Sequence, residues 1–340
     1  MYKFSGFFVC IVSALTFVSF NTTNKLAQKT AYADQNKDVY IGGIPAGFTL
    51  NAGGVQVVGI CEVIGECEKK SPASEAGIKV GDKILKIAGI EIETISDLNT
   101  ILEKNGAKQL KIQVKRGNIE EDFEVMPIKD KNSGKFKIGV LVKDTLSGIG
   151  TVTYIEKESK RFGSLGHSVG TEVKECTNTV NGNMYGCSIV NILKGSRGKA
   201  GELHGMFLGS QIIGKTDTIC DCGIYGEFNS EFDLSKLISA TACSSSVAPG
   251  DAIIYSTING QNPEKFTVEI VKVDKNNKEN KNYVVKITDK DLIERTGGIV
   301  QGMSGSPILQ NGVLVGAITH VFLNDPTRGY GIAIEKMLKN

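Results

Sequence analysis

Apolar and polar residues are distributed along this chain in three regimes. From Phe4 to Phe20 the run is mostly apolar and carries no charge. That pattern fits an export signal or a membrane anchor, because a buried core helix would show polar positions at helical spacing. Ala31-Tyr32-Ala33 follows as a small-x-small cleavage site, so residues 1–33 read as the signal or anchor segment. Residues 34–43, polar and charged from Asp34 to Tyr40, read as a linker. Residues 44–130 form a compact mixed pattern: a strand at Val55–Ile60, a short helical turn with a glycine stop over Ser71–Ile78, and a strand entered through Gly81-Asp82. A helix capped by Ser96 follows, with Leu98, Ile101 and Leu102 on one face and Asn105-Gly106 as its stop, and strands at Leu110–Val114 and Asp122–Val125 close the module. Residues 131–340 are strand after strand, at Ile138–Val142, Gly150–Ile155, Ser188–Leu193, Gly209–Ile213, Ala252–Ser256, Phe266–Val273 and Tyr283–Thr288. Helix is expected only at Glu335–Lys339, so this part predicts a pair of β-barrels or a sandwich.

Composition narrows the function classes. With 340 residues and 41% hydrophobic content the chain can bury a large core, and 40 glycines without a tryptophan agree with a β-rich, turn-rich fold. A net charge of +2 removes any global electrostatic case for nucleic acid. The densest basic run, Lys272 to Lys281, is diluted by Asn and Glu and reads as a solvated hairpin tip. Of the 8 cysteines, Cys10 lies in the leader and the others are odd in number. No Cys-x-x-Cys exists, and Cys220-Asp-Cys222 has no second pair or histidine at zinc spacing, so no metal site and no cofactor is expected. Buried, reduced cysteines are expected rather than a disulfide framework.

The stretch that reads as chemistry is Gly302-Met303-Ser304-Gly305-Ser306-Pro307, followed by a hairpin signal at Asn311-Gly312. A serine between glycines is an exposed hydroxyl beside unobstructed amides, which is what an acyl-transfer nucleophile needs. The alternative is a glycine-rich hairpin with solvent-facing serines. Three histidines can serve as base: His167 between glycines, then His204 and His320, with His167 favoured for access. For the carboxylate, Asp289 at the end of the strand before the serine segment ranks first, ahead of Asp291 and of Asp325 in its Asn-Asp-Pro turn.

Ser71-Pro-Ala-Ser-Glu-Ala-Gly-Ile-Lys-Val-Gly-Asp-Lys-Ile-Leu85 resembles the core of a PDZ domain. The resemblance implies that Gly47, Phe48, Thr49 and Leu50 form a peptide-binding loop beside the helix from Ser96 to Lys104, with a peptide ligand for the groove. Phe162-Gly-Ser-Leu-Gly-His167, Thr296 to Pro307, and Gly316-Ala-Ile-Thr-His-Val-Phe-Leu-Asn-Asp-Pro326 are similar to the stage IV sporulation protein B (SpoIVB) peptidases. The fold class implied is mainly β with an α+β module, a PDZ domain followed by a β-barrel-type, chymotrypsin-like serine peptidase domain. The resemblance maps Ser304, His167 and Asp289 onto a catalytic triad. By chymotrypsin analogy the amides of Gly302 and Ser304 form the oxyanion hole. It implies an exported, self-cleaving serine endopeptidase held to the membrane through its N-terminus and acting in the forespore intermembrane space. Its substrates would be a membrane-anchored regulator in forespore-to-mother-cell signalling and its own N-terminal segment. The competing reading is a PDZ-based scaffold with an inactive peptidase-like domain.

Overall fold

The computed structural model describes residues 37–167, 182–229 and 232–339. The leader expected over residues 1–33 lies outside them, and no helix among the described residues is long and apolar enough to cross a membrane.

Two closed rings of strands dominate. In the first, Pro45–Ile60 pairs with Val140–Glu156, which pairs with Arg161–Ser164, then Gly223–Phe228, Glu202–Cys220 and Gly182–Leu193, which returns to Pro45–Ile60. In the second, Gly250–Ser256 leads through Glu264–Val273, Tyr283–Ile287, Asp325–Ala333, Val313–Phe322 and Pro307–Gln310 back to Gly250–Ser256. Closure leaves no long edge exposed. Each ring fills itself with the inward residues of alternating strands: Phe48, Val152, Phe162, Met184 and Phe228 in the first, and Ile254, Val268, Val285, Ile308 and Ile318 in the second. The barrel pair expected from the strand-and-turn pattern is what forms.

The expected linker is a correction. Lys37–Ile41 is a strand, antiparallel to both Val140–Glu156 and Ser239–Ala242, with Val39 and Ile41 buried. Asp38 faces outward and Lys37, half-buried, pairs with Glu156 at 2.6 Å, so the charges conceal a period-two pattern too short to stand out by itself. The peptide-binding loop is a second correction. Gly47, Phe48, Thr49 and Leu50 lie inside the strand Pro45–Ile60, paired with Gly182–Tyr185 on one side and with Leu146–Ile149 on the other. Their amides and carbonyls are committed to barrel ladders, and Gly47 is where a Cβ would come within 2.3 Å of the Phe207 ring.

The PDZ module has its own core of Val55, Ile78, Ile84, Leu98, Leu102, Ile112 and Val114. Its helix, Ile95–Asn105, is capped by Thr94 in a reciprocal box with Asp97, two residues earlier than the expected Ser96. Asp82 of the Gly-Asp pair is buried and accepts two hydrogen bonds from Arg116, both at 2.7 Å. Burial works to raise the Asp82 pKa, but hydrogen bonds from Arg116 and from the Lys79 amide outweigh it and hold the carboxyl below its usual range. The module is not separate from the barrels. Pro45–Ile60 and Val140–Glu156 run antiparallel through both, from Val140 opposite Ile60 to Thr151 opposite Pro45. Val140 and Val142 pack on the PDZ core and Asp144 Oδ2 accepts from the Ile95 amide at 2.9 Å, so the chain itself supplies a strand beside Gln56–Ile60.

Candidate active site

The serine turn is built by constraint from three directions. Asn311 and Gly312 both have positive φ, 53° and 82°, the form a tight hairpin needs, and they set Pro307–Gln310 against Val313–Phe322. Gly302 and Gly305 have φ of 96° and 95°. A Cβ on Gly305 would lie 2.1 Å from the Thr151 carbonyl oxygen, so only glycine fits there. Met303 packs fully into the second-barrel core and anchors the turn.

Ser304 is thereby left at the wall of a cavity of about 510 Å³, with His167, Gly302, Gln301, Thr319 and His320 beside it. The Ser304 hydroxyl donates to the Thr319 carbonyl at 2.7 Å. Ser306, the other serine of the turn, is fully buried and hydrogen-bonds Ser256 Oγ at 3.0 Å, which removes it from solvent. The amides of Met303 and Ser306 are used by the Val300 and Met303 carbonyls, whereas those of Gly302 and Ser304 donate to no protein group among the described residues. An oxyanion hole needs uncommitted amides beside an accessible hydroxyl, and these two meet that requirement.

His167 sits on the turn that leaves Arg161–Ser164, in the first barrel, so serine and histidine come from different barrels and meet at the cavity. His320, two residues from the end of the strand Val313–Phe322, stands against it with ring centroids 4.9 Å apart. Burial lowers the His320 pKa, and the neighbouring His167 and Lys281 push it the same way. His204 is elsewhere, on the exposed part of Glu202–Cys220 with Glu202 3.5 Å away.

Asp289, expected as the triad carboxylate, is not among the residues that line the cavity. It is the N-cap of the helix Lys290–Thr296, accepting from the Leu292 amide at 3.1 Å and from the Thr267 amide at 3.2 Å. Asp291 pairs with Arg295, and Asp325 accepts from Thr327 and pairs with Arg328. Among the described residues no Asp or Glu lines the cavity. The missed helix was signalled by Asp289 ahead of Leu292 and by Gly297, whose αL conformation ends it. Phe48 and Leu50, expected to serve a PDZ ligand, line this cavity instead. Cys220 is disulfide-bonded, whereas Cys61, Cys67, Cys187, Cys222 and Cys243 carry reduced thiols.

A serine turn and a histidine turn from two barrels, with a PDZ module in front, agree with the comparison to known families. The SpoIVB peptidase S55 family matches residues 134–338. The chain belongs to that family. The family is one of peptidases. A PDZ domain matches residues 63–116. Among curated relatives, a probable protease, eep, of Enterococcus faecalis is 34% identical over 104 residues, 30% of this chain and 22% of that protein. A putative zinc metalloprotease of Lactococcus lactis subsp. lactis is 32% identical over 100 residues, 29% of this chain and 20% of that protein. The chain therefore spans about a fifth of the length of these relatives. Among solved structures, the Rv3671c protease in its inactive form is 13% identical over 56% of this S55 chain and 81% of its own, with a TM-score of 0.31.

Proposed function

We propose that this S55 peptidase is an exported, self-cleaving serine endopeptidase that cuts a membrane-anchored regulator in signalling between the forespore and the mother cell. The observation that carries the enzymatic part is the meeting, on one cavity, of the Ser304 hydroxyl, the His167 ring and the uncommitted amides of Gly302 and Ser304. In the reaction the Ser304 hydroxyl turns from the Thr319 carbonyl toward His167. Its oxygen attacks the scissile carbonyl carbon as the imidazole takes its proton. The two amides hold the oxyanion, and the imidazolium returns the proton to the leaving amine. Water then repeats the sequence to release the acyl group. Around these atoms Leu50, Ile149, Val300, Val321 and Leu323 make the cavity wall apolar, which supports a substrate with an apolar side chain next to the scissile bond.

Export and membrane association rest on the uncharged run Phe4 to Phe20, and self-cleavage on the polar stretch from Asn21 to Tyr40 that precedes and enters the first strand. A peptide partner for the PDZ groove would have to displace Val140–Lys143 from beside Gln56–Ile60.

Incubating the full chain with a fluorophosphonate tests the catalytic part: labelling at Ser304 is expected, and its absence from folded protein would leave the inactive scaffold. N-terminal sequencing tests self-cleavage. The active chain is expected to yield soluble fragments beginning within or just after residues 21–40, and Ser304→Ala to remain membrane-associated with residues before Asp34 retained. Identical N-termini in the two would assign leader removal to a separate peptidase.

A further inference from the structure

Thr151 lies on the first-barrel strand Val140–Glu156 and spends all of its polar groups on the two catalytic turns. Its amide donates to the Ser304 carbonyl at 3.2 Å, and its Oγ1 donates to the Gly302 carbonyl at 2.7 Å. Its own carbonyl accepts from Ser164 Oγ at 2.8 Å and from the Leu165 amide at 3.3 Å, on the segment that ends in His167. The residue is buried, with 2% of its surface exposed.

The two carbonyls that Thr151 holds belong to the peptide units on either side of the one carrying the Ser304 amide. The middle unit is held by its own carbonyl, which accepts from the Ser306 amide at 2.9 Å. In a trans peptide C=O and N–H point in opposite directions, so a carbonyl drawn into the turn sends the Ser304 N–H the other way. Fixing both flanking units removes the rotation by which that amide could turn from the cavity. The Thr151 carbonyl meanwhile fixes the start of the histidine turn against the same point.

We propose that Thr151 is a positioning residue for peptide hydrolysis: it aims the Ser304 amide of the oxyanion hole and ties the serine turn of one barrel to the histidine turn of the other. This rests on the reading of Ser304 as nucleophile. It asks more than packing of Thr151, because the hydroxyl is needed at that place and the methyl is not.

The test compares the full-length wild type with Thr151→Val, Thr151→Ser and Thr153→Val. Valine keeps the shape and the backbone bonds and removes only the hydroxyl donor. Thr153 is the matched control: it is fully buried, and its Oγ1 donates to the Gly305 carbonyl at 2.7 Å, beyond the Ser304 amide. The readouts are the rate of Ser304 labelling by a fluorophosphonate and amide hydrogen exchange of the fragment containing Met303–Gly305. Thr151→Val is expected to label roughly 10–100-fold more slowly, approaching the cost of losing one oxyanion donor, and to exchange faster at this fragment. Thr151→Ser should restore labelling, and Thr153→Val should lower the melting temperature while labelling within about threefold of wild type. Labelling of Thr151→Val at the wild-type rate, failure of serine to restore it, or an equal loss in Thr153→Val would overturn the proposal. A wild type that does not label would sink the nucleophile reading instead, and the exchange comparison would still decide whether Thr151 holds the turn.

Discussion

Ser304 and Ser306 stand on the same turn, yet one hydroxyl faces the cavity and the other is sealed against Ser256. Ser304→Ala should therefore abolish self-cleavage and cleavage in trans, a loss of several orders of magnitude. Ser306→Ala should keep most activity and cost about 1 kcal/mol of stability for the broken buried hydrogen bond, read by chemical denaturation. The reverse order of activities would move the nucleophile. Asp289 calls for a finer distinction, because as a helix cap it acts through geometry that asparagine can reproduce. Asp289→Asn should retain activity, whereas Asp289→Ala should lose about 0.5–2 kcal/mol and some activity, since the capped helix leads into Gly297–Ser304. An inactive but normally stable Asp289→Asn would restore this carboxylate to the catalytic machinery.

At the scale of elements, the PDZ module shows how a short motif becomes a folded unit. Gly81-Asp82 opens the strand Lys83–Ile87, and Asp82 then reaches across to Arg116 at the end of Leu110–Arg116, which also donates to the Gly77 carbonyl at 2.8 Å. The Asp82 pKa is depressed in the folded state, so its contribution to stability is fully present above the unfolded carboxylate pKa, about 4, and is lost as pH falls through the lower folded value. Wild type should lose stability on acidification below about pH 4, and Asp82→Asn should be less stable at neutral pH with a flatter acid limb. Urea midpoints of both proteins across pH 2–7 check this (~pH range of carboxylate titration); parallel curves would assign the acid sensitivity to other carboxylates.

At the scale of the molecule, the strands Pro45–Ile60 and Val140–Glu156 bind the PDZ module and the first barrel into one body, so neither has a clean sequence boundary. A chain cut to begin at residue 131 loses Lys37–Ile41 and Pro45–Ile60, which opens the first barrel between Val140–Glu156 and Gly182–Leu193. Such a protein should be insoluble or lack the near-ultraviolet signature of packed tyrosines, whereas one beginning at residue 37 should fold. A folded, phosphonate-reactive protein from residue 131 would show that the first ring closes without these strands.

Strand content, the mixed α+β module and the serine turn were legible because each has a local cause: alternation over a few residues, a glycine or asparagine where φ must be positive, a Gly-Asp at a strand entry. The same local reading placed His167 on its turn and Asn311-Gly312 in its hairpin. It failed where the cause is distant. Residues 47–50 resemble a loop until Gly182–Tyr185 and Leu146–Ile149 supply the ladders that make them a strand, and Lys37–Ile41 is a linker until Ala240 and Glu156 flank Val39. Asp289 reads as a catalytic carboxylate because it ends the strand that leads into the serine segment, but the amide of Leu292 and that of Thr267 claim its oxygens. Thr151 carries no sequence signal at all, since one threonine in a strand looks like any other. The sequence determined which backbone conformations each segment favours, because those depend on neighbours in the chain. Which side chains share the cavity, and which one residue ties its two turns together, was decided only when the barrels closed, because hydrogen bonds and burial depend on neighbours in space.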